Sequence, residues 1–263
     1  MGRAHFSEKK RRVDQVIRQS YSLRETDHAR YLVIPEFETA GAVHFFGLKA
    51  SFQRSSNGLS RFNGAQVMTA KQVHQDRILV LDGPVGDQEI CLTRDDAGND
   101  AIITRGAGFF VGIYTADCLP ILLMDPKDKV VAAVHAGWRG SLLRVVAKTA
   151  QEMIQKLGCR PGNILAAVGP CIGPCCYEVG EMVLEPLRKL YPDGSGVVRP
   201  KESGKWMLDI LEINRRQLLE AGLQERNLYA VGLCTSCRVD LFSSYRREGK
   251  DAVGMLSGIM QVV

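Results

Sequence analysis

Short apolar runs broken by polar turns fill the first half of the chain, and a helical spacing takes over after about residue 140. Residues 1–30 are polar and charged and predict a helical or loose lead-in, with the folded body starting at Tyr31. Runs at 42–48, 66–73 and 78–81 predict short strands, divided by turns around 55–58 and at Asn63-Gly64. Those at 101–104, 109–114, 120–124 and 130–134 are apolar throughout rather than alternating, which predicts strands buried on both faces.

From 141 to 157 the apolar positions Leu142, Val145, Val146, Met153 and Leu157 recur at helical spacing, and Gly158 stands where a helix cap is expected. Residues 164–168 read as a strand entering Gly169-Pro170, and 180–191 as a helix. A further helix at 209–221 is opened by Asp209 and closed by Gly222, and strands at 228–233 and 242–245 close the chain. Strands and helices mix without a regular βαβ repeat. The expected class is therefore α+β, mixed β-sheets flanked by helices, with one catalytic domain over 31–263 after the lead-in.

Composition narrows the chemistry. With 263 residues, 45% hydrophobic and 24% charged, the chain can bury a sizeable core, which excludes disordered and collagen-like classes. No apolar run approaches the roughly 20 residues that span a bilayer, and the first residues carry charge without an apolar stretch, so the expected location is the cytoplasm. Part of the net charge of +5 lies in Lys9-Lys10-Arg11-Arg12, which has no neighbouring aromatic residues and reads as a solvated tail rather than a nucleic-acid arm. Eight cysteines in a chain without a secretory signature read as thiols, ligands or core residues rather than disulfides.

Two constellations carry candidate chemistry. Cys118 in TADCLPILLMDP and His135 in VVAAVHAGWRG lie at the facing ends of two strands joined by the 125–129 turn. The pair suits either a thiolate activated by an imidazole or two soft metal ligands. Lys71-Gln72-Val73-His74 ends another strand in a histidine; if it faces the pair, two imidazoles and a thiolate form a shell with a fourth position open. Cys171, Cys175 and Cys176 with Cys234 and Cys237 offer a competing four-thiolate knot, but a single C-x-x-C spacing argues against it.

TADCLPILLMDP, AAVHAGWRG, VGPCIGPCCYEVG, LDILEINRRQLLEAGL and SYRREG, in that order between residues 72 and 249, resemble the laccase-domain (YfiH-like) family of purine nucleoside phosphorylases, earlier labelled multicopper polyphenol oxidases. The resemblance implies one zinc ion, with copper as the alternative, on His74, Cys118 and His135, and purine nucleoside and phosphate as substrates. It implies phosphorolysis of adenosine, inosine, guanosine and methylthioadenosine, together with deamination of adenosine. Among the matching positions, Asp117 is the expected proton-moving carboxylate beside Cys118, and Arg139 and Arg246 have the forked donors that grip phosphate. Gln72 and Cys171, the latter in the glycine turn 169–174, are further expected substrate contacts. The chain departs from the family at Gln75, where glycine is usual, at Lys49 in an altered upstream segment, at Cys171 and at Val253, where an arginine is lost.

Beside a non-enzymatic, zinc-stabilised binding module, two other classes remain open on the residues alone. One is a metal-free hydrolase with Cys118 as nucleophile and His135 as its base. The other is a copper phenol oxidase, which five histidines without H-x-H pairs support poorly.

Overall fold

Strands of two to seven residues, the central ones largely apolar, pair into two mixed seven-stranded sheets in a computed structural model of the chain. It describes residues 17–27, 29–49, 51, 60–62, 65–81, 98–106, 108, 110–192, 196–201 and 204–262. The expected turns at 55–58 and 63–64 and the basic run at 9–12 lie outside these residues.

In chain order the strands are β1 (Arg18–Gln19), β2 (Ser22–Glu25), β3 (Arg30–Val33), β4 (Ala42–Gly47), β5 (Ser60–Phe62), β6 (Ala65–Thr69), β7 (Ile78–Leu81), β8 (Ala101–Thr104) and β9 (Phe110–Thr115). There follow β10 (Leu119–Asp125), β11 (Val130–Ala136), β12 (Leu165–Val168), β13 (Glu178–Val179), β14 (Val198–Pro200), β15 (Trp206–Leu208), β16 (Leu228–Ala230) and β17 (Met255–Gln261). The helices are α1 (Pro35–Thr39), α2 (Trp138–Leu142), α3 (Val145–Gln155), α4 (Glu181–Leu190), α5 (Ile210–Glu220) and α6 (Tyr245–Glu248). None is long and apolar enough to cross a membrane.

One sheet runs β1-β16-β12-β10-β11-β8-β7 and the other β2-β3-β4-β17-β9-β6-β5, while β13-β15-β14 form a small third sheet. The hairpin of β10 and β11 is buried along its whole length because it is covered on both faces. Its side chains alternate: Ile121, Leu123, Val130, Ala132 and Val134 face α3 and α5, whereas Leu122, Met124, Val131 and Ala133 face Phe46, Val111 and Ile113 of the second sheet. Each large side chain buried this way contributes about 1.5–3 kcal/mol, which makes this hairpin the anchor of the fold. Asp125 Oδ1 accepts the Lys127 and Asp128 amides and closes the turn between the two strands.

The α+β expectation holds, and the structure corrects four local expectations. Residues 18–25 are strands, not a loose lead-in: β1 adds in parallel to β16, and β2 pairs antiparallel with β3. The helix expected over 141–157 is two helices, because Arg144 adopts a left-handed φ of 64°. The Ser141 carbonyl near that break accepts Gln217 Nε2 at 2.7 Å, so the interruption is satisfied by a tertiary contact that the helical period does not encode. Residues 242–245, expected as a strand, instead lead into α6, whose start is tied down from a distant segment by Asp117.

The fourth correction is β17, whose glycines hid a central strand. Gly258 sits opposite Gly112 of β9. A side chain at Gly258 would meet the Phe45 ring at 3.0 Å, and one at Gly112 would meet Val67 at 2.6 Å and the Ser257 carbonyl at 2.9 Å. Gly258 thus admits the Phe45 ring, which stacks on Phe62 at 4.1 Å, and Gly112 admits Val67 of the same apolar cluster. Gly112→Ala should therefore destabilise the protein by about 1–3 kcal/mol, read as a lower urea midpoint with an unchanged slope.

Candidate metal centre and its cleft

The β10–β11 register pairs Pro120 with His135 and Leu119 with Ala136, so the hairpin brings Cys118 beside Gly137 at its open end. Asp117 (φ 84°) and His74 (φ 59°) are both left-handed non-glycine residues, a conformation that costs on the order of 1–3 kcal/mol and collects at functional sites. The ligating atoms of His74, Cys118 and His135 lie within 4.8 Å of one another, a spacing that fits one ion. The two imidazoles stand 4.7 Å apart and nearly perpendicular. A side chain at Gly137 would meet Cys118 Sγ at 3.1 Å and His74 Cδ2 at 3.2 Å, so only glycine leaves the three side chains room to converge.

Asp100 orders this arrangement, and no motif singled it out. Its carboxylate is fully buried at the start of β8 and accepts the amides of Val73 (3.3 Å), His74 (2.9 Å) and Gln75 (2.7 Å). His135 Nδ1 donates to Asp100 Oδ1 at 2.7 Å, which turns Nε2 towards the other ligands in the manner of a carboxylate–histidine–metal relay. The sequence signal was faint: a polar Asn99-Asp100 pair just before an apolar strand.

The electrostatics follow. Burial pushes the Cys118 thiol up, but the His135 and His74 side chains outweigh it and bring its pKa down to about 6. Burial lowers His135, but Asp100 and Cys118 raise its pKa to about 9. Without a metal, Cys118 and His135 thus form a thiolate–imidazolium pair between those two values. His74, Cys118 and His135 would hold a soft divalent cation, which would take the place of the imidazolium proton as counter-ion to the thiolate.

Above these three side chains opens a cleft of about 850 Å³. Trp138, Tyr114, Tyr177 and Tyr245 supply aromatic wall, while β13 and the start of α4 close one side. Arg139 lies on this lining over the Trp138 ring at 4.4 Å and, among the described residues, has no carboxylate partner. Arg246 also lines the cleft, but its guanidinium reaches the carbonyls of Cys176 (3.3 Å) and Glu178 (2.9 Å). Gln72 lies at the edge with its amide engaged by the Tyr114 backbone in two hydrogen bonds of 2.7 Å.

Asp117 faces the cleft while accepting Thr235 Oγ1 at 2.6 Å, Ser244 Oγ at 3.0 Å and the Arg246 amide at 2.6 Å. Cys171, an expected substrate contact, is buried among apolar residues of the first sheet and lies outside the cleft lining. Its neighbour Ile172 reaches the lining instead. Of the positions that depart from the family pattern, Lys49 donates to the Val239 carbonyl, and the Val253 amide donates to Ser243 Oγ at 2.9 Å.

Residues 50–262 match the family model described as multi-copper polyphenol oxidoreductase laccase. The chain belongs to this family. As a laccase-domain protein it is 39% identical over 164 residues to a purine nucleoside phosphorylase of Bacteroides thetaiotaomicron, a match covering 62% of this chain and 61% of that relative. The chain thus spans about three-fifths of that relative's length. It is 35% identical over 195 residues to adenosine deaminase RL5 from an unknown prokaryotic organism, covering 72% of each chain. Among solved structures it superposes on YlmD from Geobacillus stearothermophilus with a TM-score of 0.77 at 27% identity, covering 92% and 99% of the two chains.

The multi-copper part of the family description finds few ligands here. His44 is buried, accepts the Ile34 amide at 2.8 Å and has its pKa lowered to about 4, chiefly by burial. Among the described residues, the cleft offers two imidazoles and one thiolate, a shell for one ion.

Two outcomes test this centre. Asp100→Asn should weaken metal binding by about 10–100-fold, measured by competition with a chromogenic chelator. In metal-stripped protein the Cys118 thiolate, the reactive form, should be lost only below about pH 6. Iodoacetamide labelling of the Cys118 peptide should therefore rise through pH 6, not near 9, and be suppressed by added zinc.

Proposed function

We propose that this laccase-domain protein is a zinc-dependent purine nucleoside phosphorylase that also deaminates adenosine. The observation that carries the reading is the open His74–Cys118–His135 shell at the floor of an aromatic-walled cleft beside Arg139, whose charge has no carboxylate partner among the described residues. The names of the relatives support the same substrate class.

In phosphorolysis, a phosphate oxygen attacks the anomeric carbon, the glycosidic C–N bond breaks, and the base leaves with the bond electrons. Arg139 holds the phosphate dianion with its forked donors, and Arg246 adds positive charge while fixing the opposite wall. Trp138 and Tyr177 offer faces against which a purine stacks. Asp117 has three of roughly four acceptor positions occupied, and the remaining one is available to take and return a substrate proton. Gln72 shapes the entrance through its hold on Tyr114. When bound, zinc supplies a Lewis acid that polarises oxygen or nitrogen and lowers the pKa of water.

One observation favours a second reading. Cys118, His135 and Asp100 are connected as nucleophile, base and orienting carboxylate, the arrangement of a metal-free cysteine hydrolase. A chelator separates the two, since it abolishes zinc-dependent turnover and leaves a cysteine hydrolase active.

Zinc-loaded protein given inosine and phosphate should release hypoxanthine and ribose 1-phosphate, and given adenosine alone should form inosine. Stoichiometric zinc with neither product overturns the proposal. Cys118→Ser should lower turnover by more than the roughly 100-fold that loss of an outer-shell partner costs. Arg139→Ala should raise the KM for phosphate about tenfold or more at unchanged zinc content.

A further inference from the structure

Four cysteines outside the cleft meet at one point. β12 and β16 run in parallel, and an isolated bridge between Cys171 and Cys234 carries their alignment beyond the strand ends. The segment after Gly173 is thereby laid against the turn after Cys234. Cys175, Cys176, Cys234 and Cys237 converge there with all four Sγ atoms within 4.8 Å of one another. The sequence groups Cys171 with the other four cysteines, whereas the structure buries Cys171 in the core. The adjacent pair Cys175-Cys176 instead faces the C-x-x-C turn of Cys234 and Cys237.

The distances discriminate between kinds of sulfur chemistry. Cys175 and Cys237 are 3.5 Å apart and Cys176 and Cys237 3.3 Å, far beyond the roughly 2.05 Å of a disulfide. Four sulfurs about 2.3 Å from a central ion form a tetrahedron with edges of about 3.8 Å, close to the observed spacing. The backbone is arranged for a thiolate as well, since the Gly173 amide donates to Cys234 Sγ at 3.2 Å.

Positive charge also surrounds the cluster. Arg246 reaches the Cys176 carbonyl, and Arg247 Nη1 donates to the carbonyls of Thr235 (3.0 Å) and Ser236 (2.8 Å), so each cysteine segment is braced by a guanidinium. Four thiolates around a divalent ion carry a net double negative charge, of which Arg246 offsets part, since the charge of Arg247 is shared with Glu248.

We propose that Cys175, Cys176, Cys234 and Cys237 bind one zinc ion as a closed four-thiolate site, separate from the His74–Cys118–His135 centre. On binding, the four thiols release four protons and form four Zn–S bonds, with no open position left for substrate. The role is structural. The ion clamps the segment bearing the Cys176 and Glu178 carbonyls, which hold Arg246, to the turn bearing Thr235, which holds Asp117.

Metal counting on protein purified under reducing conditions without chelator tests this independently of any enzyme activity. Wild type should carry two zinc ions per chain, Cys234→Ser/Cys237→Ser one, and His74→Ala/Cys118→Ala one. With cobalt chloride in place of zinc, the near-ultraviolet thiolate-to-cobalt absorption should keep its four-thiolate intensity in the His74→Ala/Cys118→Ala protein and fall to that of the single Cys118 thiolate in the Cys234→Ser/Cys237→Ser protein. If that double variant does not fold, Cys175→Ser, at an exposed position, should still release one of the two zinc ions faster to a chromogenic chelator. One zinc per chain in both wild type and Cys234→Ser/Cys237→Ser overturns the proposal. So does an intact mass two hydrogens light, with a Cys175 or Cys176 disulfide to Cys237.

Discussion

A fully buried carboxylate cannot be left without partners, and Asp100 meets that demand by drawing in the chain around it. Three consecutive amides, from Val73 to Gln75, and the His135 ring donate to its two oxygens, while the Asp100 carbonyl accepts the His135 amide at 2.7 Å. Burial pushes the Asp100 carboxyl up, but the His135 and Gln75 donors outweigh it and bring it below the usual carboxylate value. The 71–76 segment has little apolar content to bury, so electrostatic satisfaction more than hydrophobic packing fixes it against β11. The convergence of the His74 and His135 rings is a consequence of that demand.

Asp117 plays a comparable part on the opposite wall. It sits between Cys118 and the three groups from Thr235, Ser244 and Arg246, so the Cys118 turn, the Cys234–Cys237 turn and the start of α6 share one acceptor. The left-handed backbone at Asp117 is the local cost of aiming that carboxylate away from the β10 ladder. Cleft and cysteine cluster are thus separate constellations built on adjoining backbone.

The parts legible in the sequence are those whose cause is local. Fully apolar runs identified β8 to β11, and the Asp209 cap with Gly222 at the far end identified α5, where Asp209 does accept the Glu212 amide. Cys118 and His135 could be paired because a short turn joins their strands. What escaped depends on distant partners. The left-handed Arg144 reaches Glu220, α6 is capped by Asp117, and β17 needs Phe45 from another strand to explain its glycine. Asp100 escaped for the same reason, since a lone aspartate acquires meaning only once His135 and the 73–75 amides stand around it.

The position of β17 bears on how the protein is made. This strand lies between β4 and β9, and it is synthesised more than a hundred residues after either. Until it arrives, β4 and β9 expose unpaired edges to other chains in the cell, a state in which emerging sheets aggregate. Completion of the second sheet therefore has to wait for the synthesis of β17, with β4 and β9 held apart until then.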